Sequence, residues 1–179
     1  MELNTVLSLD IHPFFDYIQT IPYGYRDRGG ALHFEGDPDF KAYEYAFSTA
    51  EEVIENNCGW CWDVANLISL YCRRHRIEHN TLFLEYHSPE LHQTHTQVFL
   101  RKGPMWYPAP DNSAVFSLGA GGRESYEACR DNYADTFREY LHHVLQERYD
   151  ESKLLIKAVT IPIPGGITDE EYLALVRNC

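Results

Sequence analysis

The sequence predicts an α+β fold in which helices pack on an antiparallel sheet. Two helix-opening motifs far apart in the chain, three successive strand-like runs joined by short connections, and the order of helices before sheet point to it. At 179 residues the chain is long enough to bury a sizeable core, and it reads as a single domain spanning 1–179. No internal repeat, low-complexity tract or Pro/Gly/Ser linker divides it.

The elements follow in chain order. Tyr23 to Asp39, rich in Gly, Asp and Arg and without periodicity, reads as a long irregular loop. Ser48-Thr49-Ala50-Glu51 has the form of a capping box and predicts a helix from Thr49 to Asn56. Asn57 and Gly59 then stop that helix and form a turn. From Cys61 to about Arg76 the residues Cys61, Val64, Ala65, Ile68, Cys72 and His75 recur at the spacing of one helical face, with Asp63 in the first turn complementing the helix dipole. Arg73, Arg74 and Arg76 complement it at the other end. Thr81–His87, Thr96–Arg101 and Met105–Ala109 read as strands, the last two joined at Lys102-Gly103-Pro104. Beyond the glycines at Gly119–Gly122, a long amphipathic helix is expected from Ser125 to Tyr149, its stripe running through Tyr126, Cys129, Tyr133, Phe137, Tyr140, Leu141, Val144 and Leu145. Leu154–Ile163 is β-branched and strand-like. Thr168-Asp169-Glu170-Glu171 is a second capping box opening a terminal helix to about Arg177.

Composition narrows the function. A formal net charge of -12 repels nucleic-acid phosphate and anionic membrane alike, so neither is an expected partner. No apolar window approaches the roughly 20 residues of a membrane span, and Met1–Asp10 lacks a signal pattern, so cytoplasmic residence is the expectation. Five scattered cysteines, Cys58, Cys61, Cys72, Cys129 and Cys179, do not suggest a disulfide framework in such a chain. Reduced thiols leave room for thiol chemistry.

The stretch Cys58-Gly59-Trp60-Cys61-Trp62-Asp63 is the most informative. Cys61 stands where a glycine turn gives way to a helix, and helix N-termini favour thiolate, so a lowered thiol pKa is expected. Its own backbone N–H is a candidate oxyanion donor. His95 precedes one strand and Asp111 follows the next. If the two strands pair, both residues fall at the open end of one hairpin, where a carboxylate can orient an imidazole. Trp60, Trp62 and Tyr23 are the candidate walls of a substrate cleft, and Gln19, Asn56 and Asn57 are further candidate oxyanion donors.

The order Cys, His, Asp, with Gly59-Trp60-Cys61-Trp62 opening a helix, Thr94-His95-Thr96 at a strand and Trp106 to Asp111 after the next, resembles the transglutaminase-like superfamily. The resemblance covers roughly Ser48 to Asn112. It departs from the family pattern in one extra residue between the tryptophan and Asp111. It implies a papain-like fold and a catalytic triad of Cys61, His95 and Asp111 performing acyl transfer on a peptide, protein or small amide substrate, with no cofactor required. Hydrolysis is expected ahead of cross-linking. Arylamine-type acyl transfer and a catalytically silent binding module are the alternatives. So are a Cys58-x-x-Cys61 redox pair and a zinc site of Cys58, Cys61, His92 and His95.

Overall fold

The computed structural model describes residues 1–40, 42–113, 121–159 and 165–178. Two N-terminal helices, α1 (Leu3–Val6) and α2 (Ile11–Thr20), were not read from the sequence; neither N-cap, Glu2 nor Asp10, makes a side-chain hydrogen bond. α2 is held by burial instead, through Phe14, Phe15 and Ile18. Phe14 stacks on Tyr71 at 3.7 Å between ring centroids.

The expected irregular loop after Tyr23 is a correction. It contains β1 (Gly24–Asp27) and β2 (Leu32–Phe34), which with β3 (Tyr45–Ala46) form a three-stranded antiparallel sheet in the order β2-β1-β3. These strands lack apolar alternation because much of the sheet is only half-buried. Its turn is closed by Asp27, which accepts the Ala31 N–H at 2.9 Å and bonds His33 at 2.9 Å.

α3 runs Ala50–Asn56, one residue later than the serine-led box implies. Thr49, not Ser48, is the N-cap: its hydroxyl accepts the Glu52 N–H at 3.2 Å, and Glu52 returns the bond to the Thr49 N–H at 2.9 Å. Asn57 stops the helix in the left-handed region at φ 46°. α4 (Cys61–Arg74) begins at the expected residue, and its face of Val64, Ala65, Ile68 and Cys72 is buried.

β4 (His79–His87), β5 (His92–Lys102), β6 (Met105–Pro108) and β7 (Leu154–Val159) form the second sheet, in the order β6-β5-β4-β7 with every pair antiparallel. β5 starts four residues earlier than expected, so His95 lies inside the strand, opposite Leu84. Val98 and Leu100 on one face of β5 join the core with α4. Phe99 on the other face joins Leu82, Leu84 and the stripe of α5 (Tyr126–Leu145). Within that stripe Cys129, Tyr133, Phe137, Leu141 and Leu145 are buried, whereas Val144 is exposed, so the apolar face is narrower than the sequence suggested. The helix ends at Leu145, and the Gln146–Arg148 segment continues as one 3-10 turn.

α6 (Asp169–Asn178) opens with the expected box. The Thr168 hydroxyl accepts from the Glu171 N–H at 3.1 Å, and Glu171 accepts from the Thr168 N–H at 2.8 Å. The expected strand residues 160–163 and the glycine at 119 lie outside the described residues. Among those described, no helix is long and apolar enough to cross a membrane.

Candidate functional site

The turn before α4 is built by Gly59. A Cβ there would stand 3.0 Å from Val64 and 3.3 Å from Val53, so a larger residue would have to push these side chains aside at the helix start. The Gly59 carbonyl accepts the Gly24 N–H at 3.3 Å and the Asn112 side-chain amide at 2.8 Å. Three remote segments therefore meet at one residue: the strand entry carrying Tyr23, the turn carrying Cys61 and the loop carrying Asp111. Asn112 also donates to the Ile21 carbonyl at 3.2 Å. The sequence does not advertise this role, because an Asn in a Pro-Asp-Asn-Ser run reads as a turn residue.

Asp63 locks the helix start. It is buried, and its carboxylate accepts the Trp60 N–H at 3.2 Å and the Ser48 N–H at 2.9 Å. Burial pushes its pKa up to about 7, against the pull of both N–H donors. Its expected contribution as a free negative charge at the helix dipole is thus replaced by capping of two segments.

The position of Cys61 follows from the end of β6. The Ala109 N–H donates to the Val98 carbonyl at 2.8 Å, so Val98, and by the two-residue repeat Thr96, turns its backbone groups towards the β6 side. β6 stops at Pro108, and Pro110 has no N–H to continue the ladder. Cys61 takes that place: the Thr96 N–H and the Tyr23 hydroxyl both approach its sulfur and favour thiolate. Burial outweighs them, aided by the nearby charges of Asp111 and Asp63, and the thiol is pushed up to about 12. The lowered pKa expected from the helix N-terminus is therefore corrected. A dipole effect confined to the first turn is smaller than the cost of placing an anion where only 5% of the residue meets solvent.

The imidazole of His95 lies on the α5 side of the sheet and is 1% exposed. Its Nε2 is 3.8 Å from Asp111 Oδ2 and hydrogen-bonded at 2.9 Å to the hydroxyl of Tyr133 on α5. The Asp111 contact is within ion-pair range but longer than a hydrogen bond. Burial lowers the His95 pKa to about 3, with the Gln97 side chain opposing, so the ring is neutral. Asp111 is raised to about 6 by burial, its Oδ1 accepting the Ser113 N–H at 2.8 Å. The charges of Asp111 and Cys61 both reach Tyr133 and help raise its pKa.

His95 and Asp111 thus approach each other at the open edge of the second sheet, and Cys61 lies within electrostatic reach of Asp111, Tyr23 and Tyr133. Tyr133 was read from the sequence only as part of an apolar stripe. A tyrosine in such a stripe buries a hydroxyl that needs a partner, and that is the one signal that pointed to it.

Of the proposed cleft walls, Tyr23 and Trp60 are half-buried and meet edge to face at 6.0 Å. Trp62 is corrected: it is 4% exposed and packs on Tyr172 at 4.0 Å and on Phe47, which makes it core. Gln19 lines a different cavity, between α2 and the β5–β6 end, and Asn57 is exposed at the end of α3. The zinc alternative is not assembled, since His92 turns away from the cysteines to bond Glu85 at 2.9 Å. Cys58 and Cys61 are both free thiols. A different group, Glu85, His87 and His92, has potential ligand atoms within 4.8 Å of one another. Arg177 already occupies it, bonding both oxygens of buried Glu85, so a metal ion would have to displace a guanidinium.

In comparison with known proteins, no family model matches the chain, and neither does any curated protein.

Proposed function

We propose that the chain is a thiol-dependent acyl-transfer enzyme of papain-like, transglutaminase-like architecture, acting on a peptide or other amide bond. One observation carries the reading: a buried His95 whose Nε2 lies between Tyr133 and Asp111, next in the chain to Thr96, whose backbone N–H donates to the Cys61 sulfur. Buried polar groups of this kind cost stability and persist where they serve chemistry.

With the thiol near 12 and the imidazole near 3, the resting pair is neutral. The proton therefore moves during attack. As Sγ bonds to the amide carbonyl carbon, the S–H proton passes to Nδ1, the ring nitrogen not used by Tyr133, and ionised Asp111 stabilises the imidazolium. The carbonyl oxygen becomes an oxyanion facing the Cys61 N–H and the Tyr23 hydroxyl. Collapse breaks the C–N bond, Nδ1 returns its proton to the departing amine, and water cleaves the thioester to regenerate the thiol. Hydrolysis is the favoured outcome.

Burial of the thiol favours one rival, a catalytically silent binding module. A panel of peptide amides carrying a fluorogenic amine separates the two, with mass spectrometry of the Cys61 peptide after acid quench. Acyl transfer predicts amine release that is abolished in Cys61→Ala and His95→Ala, together with an acyl mass on the Cys61 peptide. Release that survives Cys61→Ala, or no release and no adduct from any amide, would end the enzymatic reading.

A further inference from the structure

Beside the thiol lies a cleft of about 400 Å³ whose walls are chain neighbours of the proposed catalytic pair: Trp60 precedes Cys61, and Thr94 precedes His95. Tyr45 also lines it, and the Cys61 charge contributes to the raised pKa of that tyrosine, so the cleft and the sulfur are close. His92 and Gln93 also line it, and the remaining walls have two characters. Trp60 is the hub of an aromatic cluster, with Tyr45 at 4.9 Å, Tyr25 at 5.1 Å and Phe40 at 5.7 Å between ring centroids. Tyr43, half exposed at 49%, extends that aromatic surface to the rim.

The other character is acidic. Glu44, Asp169 and Glu170 line the cleft, and no lysine or arginine does so among the described residues. Glu44 is shared with Arg28 at 3.5 Å, and Asp169 accepts the Tyr45 hydroxyl at 2.9 Å. Neither Asp169 nor Glu170 makes the cap of α6, which falls to Glu171. Both stand in the first turn of α6, where they complement the helix dipole, and both also face the cleft. Faces of aromatic rings attract cations, and carboxylates at the rim reinforce them.

We propose that this cleft takes the cationic side chain, a lysine ammonium or an arginine guanidinium, of the amide substrate. The assignment rests on the acyl-transfer reading for the word substrate, but the binding itself does not need turnover. A cation seated against Trp60 places the adjoining backbone amide over Cys61, so the cleft acts as a specificity pocket. A neutral side chain gains nothing from the carboxylates, and an acidic one meets their repulsion.

The test uses the full chain with Cys61→Ala, so that binding is read without turnover. Blocked tripeptides carrying Lys, Arg, Gln or Glu at the central position are titrated by calorimetry at low and high salt. Lys or Arg is expected to bind about tenfold more tightly than Gln, with the advantage shrinking as salt rises. Comparing the Lys and Arg arms decides whether a point charge or a planar fork is preferred. Asp169→Asn combined with Glu170→Gln should erase the preference. Tyr43→Ala, a change at an exposed rim residue, should reduce it even if the double variant folds poorly. Equal binding of Gln and Lys peptides, no binding of either, or a preference that survives both variants would overturn the proposal. A cationic preference in Cys61→Ala without turnover by the wild-type chain would leave the pocket standing and remove the acyl-transfer reading. Turnover indifferent to side-chain charge would do the reverse.

Discussion

Asp111→Asn is expected to stabilise the protein while removing its activity. The Asp111 carboxyl is 8% exposed, and its pKa is raised from 3.8 to about 6 by burial. A folded pKa above the unfolded one means that the native state holds a proton the unfolded chain has already released. Between 3.8 and about 6, stability therefore falls as pH rises, and above about 6 the full cost of burying the carboxylate is present. A shift of roughly two units at about 1.4 kcal/mol each sets an upper scale of about 3 kcal/mol. The amide carries no charge to bury, its oxygen still accepts the Ser113 N–H, and its NH2 faces the Nε2 of His95 and the Tyr133 hydroxyl. Some of the gain is offset by imperfect pairing of that NH2, which leaves a net of about 1–3 kcal/mol at pH 7.5. Urea unfolding of both proteins from pH 4 to 8 is the assay, with the difference between them read at each pH so that other titrating groups, Asp63 among them, cancel. The difference should be largest above pH 7 and approach zero near pH 4. A variant less stable than wild type at pH 7.5, or a difference that does not change with pH, would refute the burial argument.

Tyr133→Phe removes the partner of the His95 Nε2 and should cost about 1–2 kcal/mol in urea unfolding, with turnover lowered through kcat more than KM. Amide turnover by the wild-type chain should fall as pH drops through about 6, when Asp111 takes up its proton and no longer supports an imidazolium; a pH–rate profile flat from 5 to 8 would contradict that role. Thr49→Ala should lose about 1 kcal/mol of thermal or urea stability while Ser48→Ala changes little, because Thr49 carries the cap of α3; the opposite ranking would restore the serine-led box. Asp63→Ala strands two N–H groups, those of Trp60 and Ser48, and should destabilise by about 2–4 kcal/mol, measured by the same unfolding.

Much of the candidate site was legible because its signals are local. A glycine turn before an apolar helical face places Cys61 at a helix start, and the Lys102-Gly103-Pro104 turn brings β5 and β6 together so that His95 and Asp111 approach. Thr168 and Glu171 spelled out their own cap. The cap one residue off at Ser48 shows the limit of such codes. Two adjacent hydroxyl residues, Ser48 and Thr49, offer the same motif in two registers, and Asp63, fifteen residues away, decides between them by taking the Ser48 N–H.

The sequence by itself determined where α4 and α6 begin, that the runs of the second sheet are strands, and which thiol, imidazole and carboxylate are candidates to meet, because each depends on residues a few positions apart. Only the tertiary structure decided how those groups ionise and who holds them. The helix start favours a thiolate at Cys61, yet burial pushes the thiol up to about 12, against the Thr96 N–H and the Tyr23 hydroxyl. Likewise a hydrogen-bond partner of His95 is a tyrosine from a helix, thirty-eight residues on. Burial and long-range pairing arise from segments remote in the chain, and no short-range pattern encodes which of them will close over a given side chain.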